Sequence, residues 1–216
     1  VELELAEHPA GQGVLGQHPA DGLMEDTLGM PLEHGGRDLG RVREVADAGL
    51  DDVDAPASCV PSDEESHPFL NAADGYCLRF PTGFRLGEVL PGIANFYGPP
   101  RTPGLEPLAA GLVVRVESLS QGASLQQAVD AYVEDQQRLG WLSPTYTQSS
   151  TSLGGQPAVL LHGPGEYTPL HILVTVHRGK RYTLSFWPDA AQFPLVAADV
   201  HVLRQTAEAS FSFLAS

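Results

Sequence analysis

The sequence predicts an α+β domain, helices packed on an antiparallel sheet, preceded by a disordered acidic segment. Three observations carry this. Residues 156–187 read QPAVLLHGPGEYTPLHILVTVHRGKRYTLSFW, three apolar runs separated by two turn signals, as in neighbouring antiparallel strands. Residues 125–139 repeat apolar side chains at i, i+3, i+4, the stripe of a helix that must lie against a sheet. Residues 1–68 contain no Phe, Tyr, Trp, Ile, Asn or Lys, so all 16 aromatic residues fall in 69–216.

The central stretch suggests its own register. With Arg178-Gly179-Lys180 as a three-residue loop, Val176 faces Tyr182, Val174 faces Leu184 and Ile172 faces Phe186. Large apolar side chains then share one face, apart from Leu173 and Trp187. The other face carries His171, Thr175, His177, Arg181, Thr183 and Ser185. A one-residue slip mixes the faces, so burial is expected to select this pairing.

The first third reads differently. Residues 1–66 hold 16 of the 27 acidic side chains against three arginines, a net of −13; the remainder is near neutral. Without aromatics or β-branched runs, residues 1–55 cannot bury enough apolar area to offset the entropy of ordering, although 38–53 could form a weak helix. The organisation expected is therefore an acidic, disordered leader and linker at 1–68 and a domain at 69–216. Most residue types missing from the leader have A/T-rich codons, so translated GC-rich DNA upstream of a true start is one account of it. The opening Val-Glu-Leu-Glu has neither the basic start nor the apolar core of a signal peptide.

Within the domain, residues 76–80 alternate, with Tyr76, Leu78 and Phe80 on one face and Cys77 and Arg79 on the other. Residues 84–86 and 93–97 follow as short strands. Residues 110–118 form a strand with Leu112, Val114 and Val116 inward. The helix at 125–139 has Ser124 as N-cap and Gln127 at N3, a capping box, with Leu125, Ala128, Val129, Tyr132, Val133 and Leu139 on its stripe. Gly140 stands at C′, where glycine ends helices. Residues 144–153 are a polar strand near a sheet edge. Pro194 starts a second helix running to about 209, with Leu195, Val202, Leu203 and Thr206 inward, and Phe211 and Phe213 pin the C-terminus to the core.

Composition excludes several functions. Arg178, Lys180 and Arg181 at one hairpin tip are too few cations for a nucleic-acid surface. No apolar run approaches the roughly 18–20 residues of a membrane-spanning helix. Cys59 and Cys77 form no C-x-x-C pair; a disulfide between them is compatible with an oxidising compartment but is not established by two cysteines. Ala57-Ser58-Cys59 resembles a bacterial lipoprotein cleavage site, but Pro56 and the acidic residues before it depart from that pattern, so this chain is not expected to be lipidated.

Histidine is the chemically suggestive residue. His162 and His171 could pair across a hairpin, with His177 farther along the strand and Glu166 the nearby carboxylate. Two ligands fall short of the three or four that zinc takes, and ordinary half-exposed sheet histidines are the plainer reading. No G-x-S-x-G elbow is present, and Gly163-Pro164-Gly165 lacks the helix and Lys of a phosphate loop. No catalytic, cofactor-binding or metal-ligating residue is therefore assigned, and no cofactor is expected. Trp141, Trp187 and Tyr97 could line a ligand pocket, against a simple role in core or edge packing.

The order of these motifs resembles the Mog1/PsbP-like superfamily, especially its small bacterial envelope proteins. The resemblance rests on residues 75–84 (GYCLRFPTGF), the 124–139 helix, Leu153-Gly154-Gly155-Gln156-Pro157-Ala158, residues 182–186 and the Ser210–Phe213 end, and covers roughly 69–214. Cys77 departs from it, standing where relatives usually carry Phe or another apolar residue. The resemblance implies an α/β/α sandwich, a curved antiparallel sheet flanked by two main helices. It also implies a noncatalytic accessory or binding module of the cell envelope that contacts a partner protein or small ligand. The alternative is a small metal-dependent or enzymatic module using the His162/His171 neighbourhood.

Overall fold

Alternation in the apolar runs resolves into a seven-stranded antiparallel sheet, packed on one side by a helix and on the other by a second helix beside a three-stranded sheet. The computed structural model describes residues 56–60, 64–102, 108–142, 144–163 and 171–215. The acidic leader, the 38–53 helix and Glu166 lie outside the described residues. In chain order the elements are β1 (Ser66–Asn71), β2 (Tyr76–Pro81), β3 (Arg85–Leu90), β4 (Ile93–Tyr97), β5 (Gly111–Ser118), α1 (Leu125–Arg138), β6 (Thr147–Leu153), β7 (Gln156–His162), β8 (His171–His177), β9 (Lys180–Trp187), α2 (Ala197–Ser210) and β10 (Ser212–Phe213). The large sheet runs β3-β4-β5-β9-β8-β7-β6 and the small one β1-β2-β10. The architecture is thus the expected α+β sandwich, with polar β6 at one edge.

α1 is built as its sequence dictates. Ser124 Oγ accepts from the Gln127 amide and the Gln127 side chain accepts from the Ser124 amide, closing the capping box. Val129, Tyr132 and Val133 pack on Leu161, Ile172 and Val174. Leu139 departs from the expected stripe: it is the C-cap and is exposed. On the opposite face Val200, Leu203 and Ala207 of α2 and Tyr76, Leu78 and Phe80 of β2 cover Phe96, Leu112, Val114, Leu184 and Phe186.

The β8–β9 register differs from the expected one by a single residue. Thr175 faces Tyr182, Leu173 faces Leu184 and His171 faces Phe186, across a two-residue turn, Arg178-Gly179. Both turn residues have positive φ, 49° and 72°, as a twist-matched two-residue hairpin requires. Burial could not select the register because helices cover both faces of the sheet; apolar side chains are wanted on each. His171, Leu173, Thr175 and His177 therefore lie with Tyr182, Leu184 and Phe186 on the α2 side, and Ile172, Val174 and Val176 lie with Arg181, Thr183 and Ser185 on the α1 side.

α2 also starts later than expected. Pro194–Val196 is a 3-10 turn and the α-helix begins at Ala197. That change of phase buries Val196, Val200, Leu203, Ala207 and Ser210, and leaves Leu195 and Val202 exposed rather than inward.

Order also reaches into the stretch read as linker. β1 begins at Ser66, and a 3-10 turn at Ala57–Cys59 is tied to β2 by a Cys59–Cys77 disulfide with the Cα atoms 6.0 Å apart. Both cysteines are buried with Leu214. The disulfide occupies the Cys59 sulfur, which is therefore not free to carry a lipid.

Candidate functional site

α1 sits over β7 and β8, so it leaves the same face of β5 and β9 partly open. The ladder pairs Arg85 with Tyr97, Tyr97 with Gly111 and Gly111 with Trp187, one row across four strands. Because Gly111 lacks a side chain, the Trp187 indole lies directly against it; a Cβ at Gly111 would collide with the ring. Tyr97 meets Trp187 edge-on at 5.7 Å between centroids, and the Arg85 guanidinium stands 5.7 Å from the Tyr97 ring. The next row on this face includes Val113 and Ser185, and the one after it Arg115 and Thr183.

Opposite Trp187 stands Trp141, placed by the end of α1. The Gly140 amide donates to the Gln137 carbonyl and the Trp141 amide to the Gln136 carbonyl, the two bonds of a Schellman motif, with Gly140 at φ 73°. Trp141 is held at C″ and 51% exposed, close to Gln136 and Tyr132 on the helix. A cleft of about 190 Å³ lies between Trp141, Trp187, Tyr132, Gln136, Arg115 and the β9 hydroxyls.

Charge in the cleft is unevenly paired. Arg181, almost buried, donates to Glu117 and to the Ala128 carbonyl at 3.0 Å and lies 5.3 Å from the Tyr132 ring centroid. Burial pushes the Tyr132 hydroxyl up from its ordinary value, partly offset by its hydrogen bond with Ser185 and by Arg115 and Arg181, so it stays protonated. Arg115 makes no ion pair among the described residues. Thr183 Oγ1 is buried without a hydrogen-bond partner among them.

The histidines occupy a different place. His162 pairs directly with His171 across β7–β8. His171 Nε2 lies 2.7 Å from Glu208 Oε1 and Arg204 Nη1 lies 3.2 Å from Nδ1. Arg204 can only donate, so Nδ1 accepts and Nε2 carries the proton toward Glu208. Both ring nitrogens are engaged, and a metal could reach His171 only by breaking one of these contacts. A pocket of about 100 Å³ opens there beside Asp189 and His201. His177, at the other end of β8, stacks on Phe213 at 4.1 Å. Among the described residues no group of three or more His, Cys, Asp or Glu is arranged to hold a metal.

Trp141 and Trp187 thus meet in one cleft, with Tyr97 supporting Trp187 from behind. Arg115, Thr183 and Ser185 were legible only as outward positions on strands; their convergence needs the β5–β9 register. Glu208 and Arg204, the partners of His171, carry no local sequence signal because they come from α2. Among the described residues no helix is long and apolar enough to cross a membrane.

No family model and no curated protein matches this chain. Among solved structures it is similar to the cyanobacterial PsbP (CyanoP) of Synechocystis sp. PCC 6803, at 19% identity and a TM-score of 0.46, over 72% of this chain and 96% of that one. It is also similar to the Saccharomyces cerevisiae Ran-binding protein Mog1p, at 12% identity and a TM-score of 0.45, over 68% of this chain and 95% of that one.

Proposed function

We propose that the chain is a noncatalytic accessory or binding module of the cell envelope, contacting a small ligand or partner protein through the cleft between Trp141 and Trp187. One observation carries this reading. Two partly exposed indoles, each set in place by a glycine, flank a concave site that also holds an arginine without an ion pair among the described residues. Concave, largely apolar sites with a few convergent polar groups are where small ligands bind. The buried Cys59–Cys77 disulfide supports an oxidising compartment, and with it an extracytoplasmic location. The binding domain on this reading is residues 69–216 together with the start of β1 and the disulfide-tied turn at Ala57–Cys59, preceded by the acidic leader.

Native mass spectrometry of the protein from its own source tests this. The expected spectrum shows a noncovalent added mass on the wild-type chain that is lost on denaturation and absent from a Trp141→Ala, Arg115→Gln double variant. A wild-type chain with no such mass, or a variant that keeps it, overturns the reading.

A further inference from the structure

We infer that the cleft takes a small aromatic carboxylate, its ring against the Trp141 and Trp187 indoles and its carboxylate on Arg115. The inference rests on the cleft being a binding site and specifies its ligand. Three observations point to this class.

The indoles are preorganised. Trp187 is backed by Gly111 and Tyr97, and Trp141 is held by the Schellman bonds at the end of α1. Aromatic rings stack offset or edge-to-face and gain more than the area they bury. An indole already fixed against a strand loses little entropy on receiving one.

The charge is available and singular. Arg181 is committed to Glu117 and to the Ala128 carbonyl, so it neutralises no ligand. Arg115 is two positions along β5 from Glu117, half-buried and without an ion pair among the described residues. A planar guanidinium in a partly desolvated cleft matches a carboxylate in a bidentate fork.

The remaining polar groups are few. The Tyr132 and Ser185 hydroxyls, Gln136 and the Thr183 hydroxyl, which has no hydrogen-bond partner among the described residues, are what orient a ligand. A sugar acid would present several hydroxyls to walls that are mostly aromatic and aliphatic, and each unmatched one would be desolvated at a cost. A cleft of about 190 Å³ suits a single ring with one substituent.

The chain supplies its own probe. Its two tryptophans both line the cleft, so intrinsic tryptophan emission reports on this site alone. The full chain is titrated with benzoate, benzamide, acetate and glucuronate. Benzoate is expected to change the emission saturably, with benzamide and acetate each at least about tenfold weaker, and Arg115→Gln is expected to bring benzoate down to the benzamide level while the far-ultraviolet dichroism is unchanged. Equal response to benzoate and benzamide, an unaltered Arg115→Gln titration, or tighter binding of glucuronate overturns the inference. If no probe binds while the native chain still carries an added mass lost from the double variant, the ligand class fails and the binding reading stands; if that mass is absent too, both fail.

Discussion

Trp187 rests on Gly111. The two face each other across the β5–β9 ladder, and the indole occupies the space that any side chain at position 111 would fill. Here a glycine serves a strand by absence, letting Tyr97 and Trp187 meet over it. Gly111→Ala is therefore expected to push the indole off the strand. It should destabilise the domain by about 1–3 kcal/mol, as overpacking does, and shift the tryptophan emission of the folded protein. Urea unfolding followed by fluorescence checks both; an unchanged midpoint and spectrum would mean that the indole has another seat.

Removing the Cys59–Cys77 disulfide should lower stability by roughly 3 kcal/mol, since it closes a loop with a sequence separation of 18. The bond anchors the Ala57–Cys59 turn to β2 beneath Leu214. Thermal unfolding with and without reductant measures the effect. A Cys59→Ser, Cys77→Ser double variant should match the reduced protein; a midpoint indifferent to reductant would remove the turn from the stable fold.

His177 gives a pH dependence with a definite sign. Burial against Phe213, and then the neighbouring Arg178 charge, lower its pKa below the ordinary 6.5. The unfolded chain then binds the proton more readily than the folded one, so this contribution is fully present above pH 6.5 and is lost as pH falls below it toward the folded value. Lys180, its cross-strand partner, adds a further positive charge nearby. Stability curves of the wild type and His177→Phe should diverge on acidification through this window, with the wild type losing more. Parallel curves would show that the imidazole titrates alike in both states.

Glu117 is the only carboxylate on the almost buried Arg181 guanidinium among the described residues. Glu117→Ala should cost about 1–2 kcal/mol, because the guanidinium loses a charged hydrogen-bond partner while Glu117 itself is 43% exposed and gives up little packing. Arg181→Met in the Glu117→Ala background should recover part of it by removing the unpaired charge. Chemical denaturation of the two variants decides; no recovery would mean that the Ala128 carbonyl and the Tyr132 ring already hold Arg181.

Gly140→Ala should cost about 1 kcal/mol, since it places a Cβ on a φ of 73°. The same change should loosen Trp141, making its emission more accessible to acrylamide quenching. If quenching is unchanged, the Schellman bonds are not what holds the indole.

Local chemistry was enough for the elements themselves. Ser124 and Gln127 announce the start of α1 and Gly140 its end, because a cap is satisfied within four residues of chain. Alternation in 76–80 and 110–118 assigned the inner faces of β2 and β5 correctly, since each has one side in the core. The polar composition of 144–153 placed β6 at an edge. Where two layers compete for a strand, that logic ran out. His171–His177 and Lys180–Trp187 are wanted by a helix on each side, so hydrophobicity could not choose between registers one residue apart, and the Arg178-Gly179 turn decided. Because of that choice, His171 faces Glu208 and Phe186 on the α2 side, while Thr183 and Ser185 face the open cleft. Leu195 and Val202 turned outward for a related reason: a 3-10 turn ahead of α2 reset a phase that the pattern alone left free. The sequence by itself determined α1 with its caps and most of the strands, where the signal is short-range, but not β1 or the first turn of α2. Only the tertiary structure decided which face the β8, β9 and α2 side chains meet, that the two cysteines bond, and the convergence of Trp141, Arg115 and Trp187, because those depend on contacts between segments that the chain brings together from far apart.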